Sequence, residues 1–374
     1  MKPAIVFVWA NLGPYHIDRL EAAAETLKDT HRVIGIELAG TSQTYEWARA
    51  EEVSGFERIT LIPDRQSDMP SWRLFIALAR ACLKTESHHV FLCHYEQIKI
   101  CGTAYLLRFL GRRIYAMIDS KFDDKPRFLW RELVKKVFFL PYNGALASGD
   151  RTRDYLRFFG FDPAVIHLGY DTVSMDRIRR LAGSPPAPGG VGFNDRHFTI
   201  IARLVPKKNI ATALAAYAEY RRLTVSKPHE LHICGSGELE SELRAVVKQL
   251  GVEGVVFRGF VQSPEVARAL ASTLALILPS VEDQWGLVIN EALAMGVPIL
   301  CSLNVGARDL LVRVGVNGFL FEPDNPAGLA YFMCRLTDDE NEWRRLAEGS
   351  IQLAPLADTR NFSASVARLV HGRS

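Results

Sequence analysis

Strand-length apolar runs alternate with helical stretches along nearly the whole chain, and this alternation argues for βα units and parallel sheets. The first run covers residues 4–10 and ends in the turn Asn11-Leu12-Gly13-Pro14. A helix is expected next, with His16, Leu20, Ala23 and Leu27 on one face at the 3.6-residue period. Further strands are expected at residues 32–37, 58–62, 89–94, 113–119, 144–148 and 165–169. A Pro/Gly-rich stretch at 183–192 then breaks the pattern, as a linker would. The alternation restarts at 198–202, 230–234, 255–259, 274–278, 298–301 and 318–321. With 374 residues, more than one hydrophobic core usually holds, two domains follow. The reading gives a first domain over 1–183, a linker over 184–196, a second domain over 197–355, and a C-terminal helix within 356–374 packing back on the first domain. In such sheets ligands sit at the carboxyl ends of the strands.

Composition narrows the function. The net charge of +3 argues against nucleic acid as a partner. The six cysteines, Cys82, Cys93, Cys101, Cys234, Cys301 and Cys334, form no C-x-x-C pair and read as reduced thiols of a cytoplasmic protein. No run reaches the roughly 18–20 apolar residues that span a bilayer, and the opening apolar run is too short for a signal peptide. The charge is unevenly spread: residues 99–157 hold thirteen Lys/Arg against six Asp/Glu, leaving the remainder slightly acidic.

Chemistry-bearing residues cluster after the expected strands. Arg203 and Lys208 follow the strand at 198–202, where a fork and a point charge suit a phosphate chain; solvated surface cations are the plainer alternative. Gly235-Ser-Gly237 forms another βα turn in which backbone can approach a ligand, although a tight turn alone explains it equally well. In 279–298, Asp283, Gln284 and Trp285 precede Gly286, which opens a helix so that the N–H groups of Gly286, Leu287 and Val288 can face an anion. Glu291, one turn on, can accept two hydrogen bonds from a ribose diol. In the first domain, Gly13 and His16 mark the first βα turn, and a single glycine there is not the G-x-G-x-x-G of a nicotinamide enzyme. His94 ends the strand at 89–94, and Asp119 and Lys121 end the next. Asp171 suits a role in the crossover between the domains.

Arg203-Leu-x-x-x-Lys208, Gly235-Ser-Gly237, Phe257-Arg-Gly-Phe260 and the acid-x7-Glu segment ending in Glu291-Ala-Leu-Ala-Met-Gly resemble the family 4 retaining glycosyltransferases. The resemblance covers residues 197–325 most strongly and continues more weakly through the first domain. It implies the GT-B fold, two Rossmann-like parallel-sheet domains facing a cleft and closing about the linker. It implies a UDP-sugar donor, with Arg203 and Lys208 on the diphosphate, Glu291 on the ribose and Val261 against the base by its backbone. It places His94 beside the transferred sugar, with a structurally satisfied histidine as the plainer alternative, while His16 and, at the end of the next strand, Asp119 and Lys121 are candidate acceptor contacts. The family has Glu where this chain has Asp283, so Asp283 is the expected contact to the donor sugar's hydroxyls, with Glu282 just before it as the fallback. The expected activity is hexosyl transfer to a saccharide or lipid-linked saccharide, as in polysaccharide biosynthesis, with no cofactor and no metal. No Asp-x-Asp triplet occurs. An epimerase or hydrolase of the same fold, and a non-catalytic nucleotide-sugar-binding protein, remain open.

Residues 125–139 read as a basic amphipathic helix, with Arg127, Arg131 and Lys135 at four-residue spacing beside Trp130, Leu133, Val134 and Val137. It suits either an anionic membrane surface, making the protein peripheral on the inner face of the plasma membrane, or the flank of a Rossmann sheet.

Overall fold

The computed structural model describes residues 2–40, 53–62, 70–124 and 127–372. Lys125 and Pro126, which open the expected basic helix, lie outside the described residues. The chain divides into two compact units: Met1–Ser174 with Thr359–Ser374, and Met175–Asp358.

The first unit is built on a parallel sheet of seven strands: β1 (Ala4–Trp9), β2 (Arg32–Ala39), β3 (Glu57–Ile62), β4 (His89–Leu92), β5 (Arg113–Ile118), β6 (Gly144–Ala147) and β7 (Ile166–Leu168). Their order is β3-β2-β1-β4-β5-β6-β7. Every residue of β1 is buried, because helices cover both faces of the sheet. Ala4 is registered on Arg32 of β2 and Ile5 on His89 of β4. One face carries a core that includes Val6, Ile34, Val90 and Tyr155; the other carries Phe7, Phe91 and Tyr115 with Phe362, Val366 and Leu369 from the helix Thr359–His371. That late helix is tied in by hydrogen bonds as well. Tyr115 Oη donates to Leu369 O at 2.9 Å, Ser365 Oγ donates to Leu168 O at 2.7 Å, and Thr26 Oγ1 donates to Ser363 Oγ at 2.9 Å.

Buried charges hold the turn at 169–174 against the helix Pro14–Leu27. Arg19 bonds Asp171 Oδ1 at 3.0 Å and Thr172 O at 3.0 Å, with its guanidinium over the Tyr170 ring, and Asp18 accepts from Ser174 N–H at 3.0 Å.

The second unit repeats the plan with β8 (His197–Ile201), β9 (Leu231–Cys234), β10 (Val255–Gly259), β11 (Thr273–Leu278), β12 (Ile299–Ser302) and β13 (Gly318–Phe321), in the order β10-β9-β8-β11-β12-β13. All thirteen strands fall where the apolar runs put them, within a few residues at the ends. β4 stops at Leu92, short of the expected 94, because His94 takes φ +59° and leaves extended backbone.

The break between units falls at Ser174–Met175, ahead of the expected boundary at 183. The helix Met175–Ala182 buries Met175, Ile178 and Ala182 and belongs to the second unit, where Arg177 bonds Ser263 Oγ at 2.9 Å and Arg179 bonds Ala294 O at 3.0 Å. The stretch 184–196, expected as a linker, is packed within that unit. Ala187 N–H donates to Met295 O at 2.9 Å, and the Arg196 guanidinium reaches Gly189 O at 2.8 Å and Thr273 O at 3.0 Å. Proline and glycine signal irregular backbone, and irregular backbone can still be fully bonded.

Both sheets change direction of winding beside their first strand, between β1 and β4 in one and between β8 and β11 in the other. The loops that follow these four strands flank the crevices where open α/β sheets hold ligands. Among the described residues, no helix is long and apolar enough to cross a membrane.

At the start of β8, the His197 and His232 rings stack with centroids 3.7 Å apart. Burial, then the His232 charge, pushes the His197 pKa down to about 3. The unfolded chain takes a proton near pH 6.5 that the folded chain refuses, so this stability is present above that pH and is lost as the pH falls. Between about pH 7.5 and 5 the wild type is expected to lose about 1–2 kcal/mol through this group, read as a lower urea midpoint. His197→Gln is expected to shrink that loss; an unchanged loss would remove His197 as its cause.

Candidate functional site

In the second unit the segments after β8 and β11 meet at the switch point. A one-turn 3-10 helix, Pro206–Lys208, follows β8, and Asn209 at φ +53° starts the helix Ile210–Leu223. The Asn209 amide donates to Pro279 O at 3.1 Å and Pro323 O at 2.7 Å, while Val281 N–H donates to Lys207 O at 2.9 Å. These bonds bring Lys208 to Asp283, Nζ to Oδ2 at 2.5 Å, with both side chains mostly buried. Ser280 Oγ also donates to Asp283 Oδ2, at 3.3 Å. Glu282 instead faces Lys207 at 3.9 Å. Of the two acids, Asp283, the one expected, is on Lys208. Arg203 lies half-buried in the same loop.

Glycine makes the neighbouring backbone possible. A Cβ on Gly235 would lie 1.8 Å from Ala202 O, and one on Gly237 would lie 2.5 Å from Leu204 O. With φ of +147° and +159°, the Gly235-Ser-Gly237 turn runs directly against the backbone that carries Arg203. Gly235 N–H donates to Gly259 O at 2.7 Å, joining that turn to the loop leading to Val261, which is half-buried.

After Asp283, Gln284 is exposed and Trp285 is buried, its indole N–H donating to Asn290 Oδ1 at 3.0 Å. Gly286 has φ +97°, and the helix Val288–Ala294 begins two residues later. Leu287 and Val288 are half-buried at its first turn, where N–H groups lack intrahelical acceptors. Glu291 is buried in the same helix, 2% exposed.

Several contributors escaped the sequence reading. Ser280 and Asn209 act on Asp283 and on the loops, and the turn after β12 supports them: Gly306 N–H donates to Asp283 O at 3.1 Å, and Ala307 N–H donates to Trp285 O at 2.9 Å. A Cβ on Gly306 would sit 1.7 Å from Gln284 O. The run Asn304-Val-Gly306 directly after an apolar strand is the signal that could have found this turn.

In the first unit the two loops beside β1 and β4 carry Gly13, His16 and His94. Leu12 N–H donates to Glu37 Oε2 at 3.0 Å, which sets the turn ahead of Gly13. Burial alone would raise the Glu37 pKa, but hydrogen bonds from Arg58, Thr60 and Leu12 outweigh it and hold the carboxyl below the usual range. Gly13 caps the helix Pro14–Leu27, and its N–H donates to His16 Nδ1 at 3.1 Å. Nδ1 is thus an acceptor, and the proton of the neutral ring sits on Nε2. Burial, then Arg19 and then His94, hold the His16 pKa well below its ordinary value. The opposite holds at His94, where Cys93 first, then Glu96 with its carboxylate 3.7 Å from Nδ1, raise the pKa. At the same sheet end, burial thus favours the neutral ring at His16, while the surroundings of His94 favour its charged form. Cys93 Sγ lies 3.3 Å from Tyr170 Oη, which also accepts from the Trp9 indole N–H at 3.0 Å.

Asp119 is half-buried at the end of β5, and burial raises its pKa. Lys121, a candidate acceptor contact, is engaged within its own loop. Its ammonium is buried against Asp124 Oδ1, and its N–H donates to Asp124 Oδ2 at 2.8 Å, a structural ion pair. Among the described residues, no group of three or more His, Cys, Asp or Glu side chains could hold a metal ion.

Residues 195–339 match the family model "Glycosyl transferases group 1". An uncharacterized glycosyltransferase of Methanocaldococcus jannaschii is 31% identical over 151 residues, 40% of this chain and 38% of that protein. A D-inositol 3-phosphate glycosyltransferase of Streptomyces bingchenggensis is 30% identical over 216 residues, 55% of this chain and 47% of its own. The chain thus spans less than half the length of these two relatives. Among solved structures, Anabaena HepE in complex with UDP and glucose superposes with a TM-score of 0.73 at 16% identity, covering 99% of this chain and all of that one. Sucrose-phosphate synthase from Thermosynechococcus elongatus gives 0.72 at 17% identity, covering 99% and 98%. The two parallel-sheet α/β units have the GT-B fold, and residues 195–339 are similar to group 1 glycosyl transferase domains.

Gly306→Ala is expected to destabilise the second unit by about 1–3 kcal/mol and to expose the 283–285 backbone to hydrogen exchange. Unchanged exchange there would show that the turn does not support Asp283.

Proposed function

We propose that this chain is a GT-B glycosyltransferase that moves a hexosyl unit from a UDP-sugar to a saccharide or lipid-linked saccharide acceptor, with retention of configuration and without a metal. One observation carries the reading: Arg203 and Lys208 stand after β8 at the switch point, beside the helix start at Gly286, within the segment matching the group 1 model. Their charge and the first-turn N–H groups suit a diphosphate. The similarity to HepE, solved with UDP, favours UDP.

Breaking a glycosyl phosphate bond loads negative charge on the leaving diphosphate and positive charge on the sugar ring. Arg203 and Lys208 take the first role electrostatically, and no glycosidase-type carboxylate pair is needed when the leaving phosphate accepts the acceptor's proton on the same face. Asp283 holds Lys208 and is assigned to the sugar hydroxyls, and Gln284 and the Trp285 backbone are assigned to the donor. Glu291 takes the ribose, Val261 the base, and Gly235 the close backbone passage. In the first unit, Gly13 is assigned to the donor, His94 to the transferred sugar, and His16 with Asp119 to the acceptor. Lys121, committed to Asp124, acts by holding the Asp119 loop.

The first measurement is a thermal-shift panel with UDP, GDP, ADP and NAD. A nucleotide at a hundred times its dissociation constant adds about 2.7 kcal/mol. UDP alone is expected to raise the midpoint, and Arg203→Ala is expected to abolish that rise and to cut turnover at least about a hundredfold. EDTA should leave turnover unchanged, and product analysis should find a glycosylated acceptor in place of free or rearranged sugar. No shift with any nucleotide would remove the donor assignment.

A further inference from the structure

The helix Leu129–Phe139 in the first unit is turned the opposite way to an ordinary surface helix. Its buried side chains are Glu132 and Phe139. Trp130 is 63% exposed, Leu133 58% and Val137 53%, and with Val134 they recur at three- and four-residue spacing to form one outward stripe. The inward side explains the orientation. Glu132 accepts from Tyr155 Oη at 2.5 Å and from Lys135 Nζ at 2.9 Å, and it faces Arg127 at 3.5 Å. A buried carboxylate held by two cations and a phenol fixes the helix about its axis, because rolling the stripe inward would break that network.

The exposed surface continues onto a second helix, Ile98–Phe109. Tyr105 Oη donates to Val137 O at 2.6 Å, and Phe109 at the end of that helix is 88% exposed. The exposed charges of these two helices are all positive. Arg108, Arg131 and Lys136 are exposed, and no carboxylate among the described residues pairs with them. Arg131 lies over the Phe128 and Trp130 rings, 5.2 and 5.1 Å from their centroids. The one acid of the helix is the buried Glu132.

We infer that this face docks on the headgroup region of an anionic lipid bilayer. Trp130, Leu133, Val137 and Phe109 enter the acyl boundary, and Arg108, Arg131 and Lys136 meet lipid phosphates. An apolar stripe flanked by cations and a tryptophan is the pattern of an interfacial helix. A second copy of the chain would set the same cations against one another. The inference does not depend on the glycosyltransferase reading.

The test is co-sedimentation of the full chain with vesicles of phosphatidylglycerol and phosphatidylcholine, beside phosphatidylcholine alone. Binding is expected to the anionic vesicles, at least about tenfold tighter than to the neutral ones and weakened by salt. Each basic residue at such a surface is worth roughly fivefold, so Arg131→Gln with Lys136→Gln should lower partition roughly twenty-five-fold. Leu133→Ser with Val137→Ser should abolish binding while keeping the wild-type melting temperature, since both side chains face solvent. Failure of the wild type to bind anionic vesicles at low salt would overturn the proposal, as would wild-type binding by the Leu133→Ser, Val137→Ser variant. So would a dimer in sedimentation equilibrium that this variant dissolves without any vesicle binding.

Discussion

A parallel strand covered on both faces leaves its side chains no solvent side, and its backbone groups must all be spent in the ladder. β1 in the first unit and β11 in the second meet that condition, every residue of each being buried. Chemistry is therefore expelled to the strand ends, where backbone leaves the ladder and polar side chains can gather without breaking it. The reversal of strand order beside β1 and β8 spreads two adjacent loops apart at those ends. Arg203, Lys208 and Asp283 gather at one such place, and Gly13, His16 and His94 at the other. The positions of these residues follow from the burial of strands that carry no chemistry themselves.

Charges in the interior divide into two kinds. Arg19 with Asp171, Lys121 with Asp124, and Glu132 with its partners are neutralised locally and serve to fix one segment against another. The Lys208–Asp283 pair differs in its surroundings, because it lies where glycines keep the backbone bare and a helix begins. An anion arriving there would compete with a carboxylate already in place, so the lysine is oriented beforehand at some cost in affinity.

Much of this was legible in the residues. The strands were, since an apolar run of strand length between turn residues has few other uses, and so was the placing of Arg203 and of Gly235 and Gly237 in loops that follow strands. The unit boundary was not, because Pro and Gly between 183 and 192 report irregular backbone and say nothing about whether it is packed. Lys121 looked like a contact because it ends a strand, and only the fold shows that Asp124 reaches it. The helix at 129–139 was recognised as amphipathic, but periodicity identifies two faces without saying which one is inward. That is decided by Tyr155 and Arg127, whose meeting with Glu132 no local pattern encodes. Glu37 was missed for a similar reason, its bond to Leu12 N–H linking two strands' ends across 25 positions.

The helix Thr359–His371 fills one face of the first unit's sheet, and this has a consequence for biosynthesis. On the ribosome, residues 1–174 emerge first, yet they cannot close that face until the helix has been translated, after all of residues 175–358. The second unit has every segment it needs in hand sooner. Completion of the domains thus runs against the order of synthesis, and during that interval the nascent first unit presents the apolar surface around Phe7, Phe91 and Tyr115 uncovered. A chaperone engaging the chain during synthesis would find its binding site there.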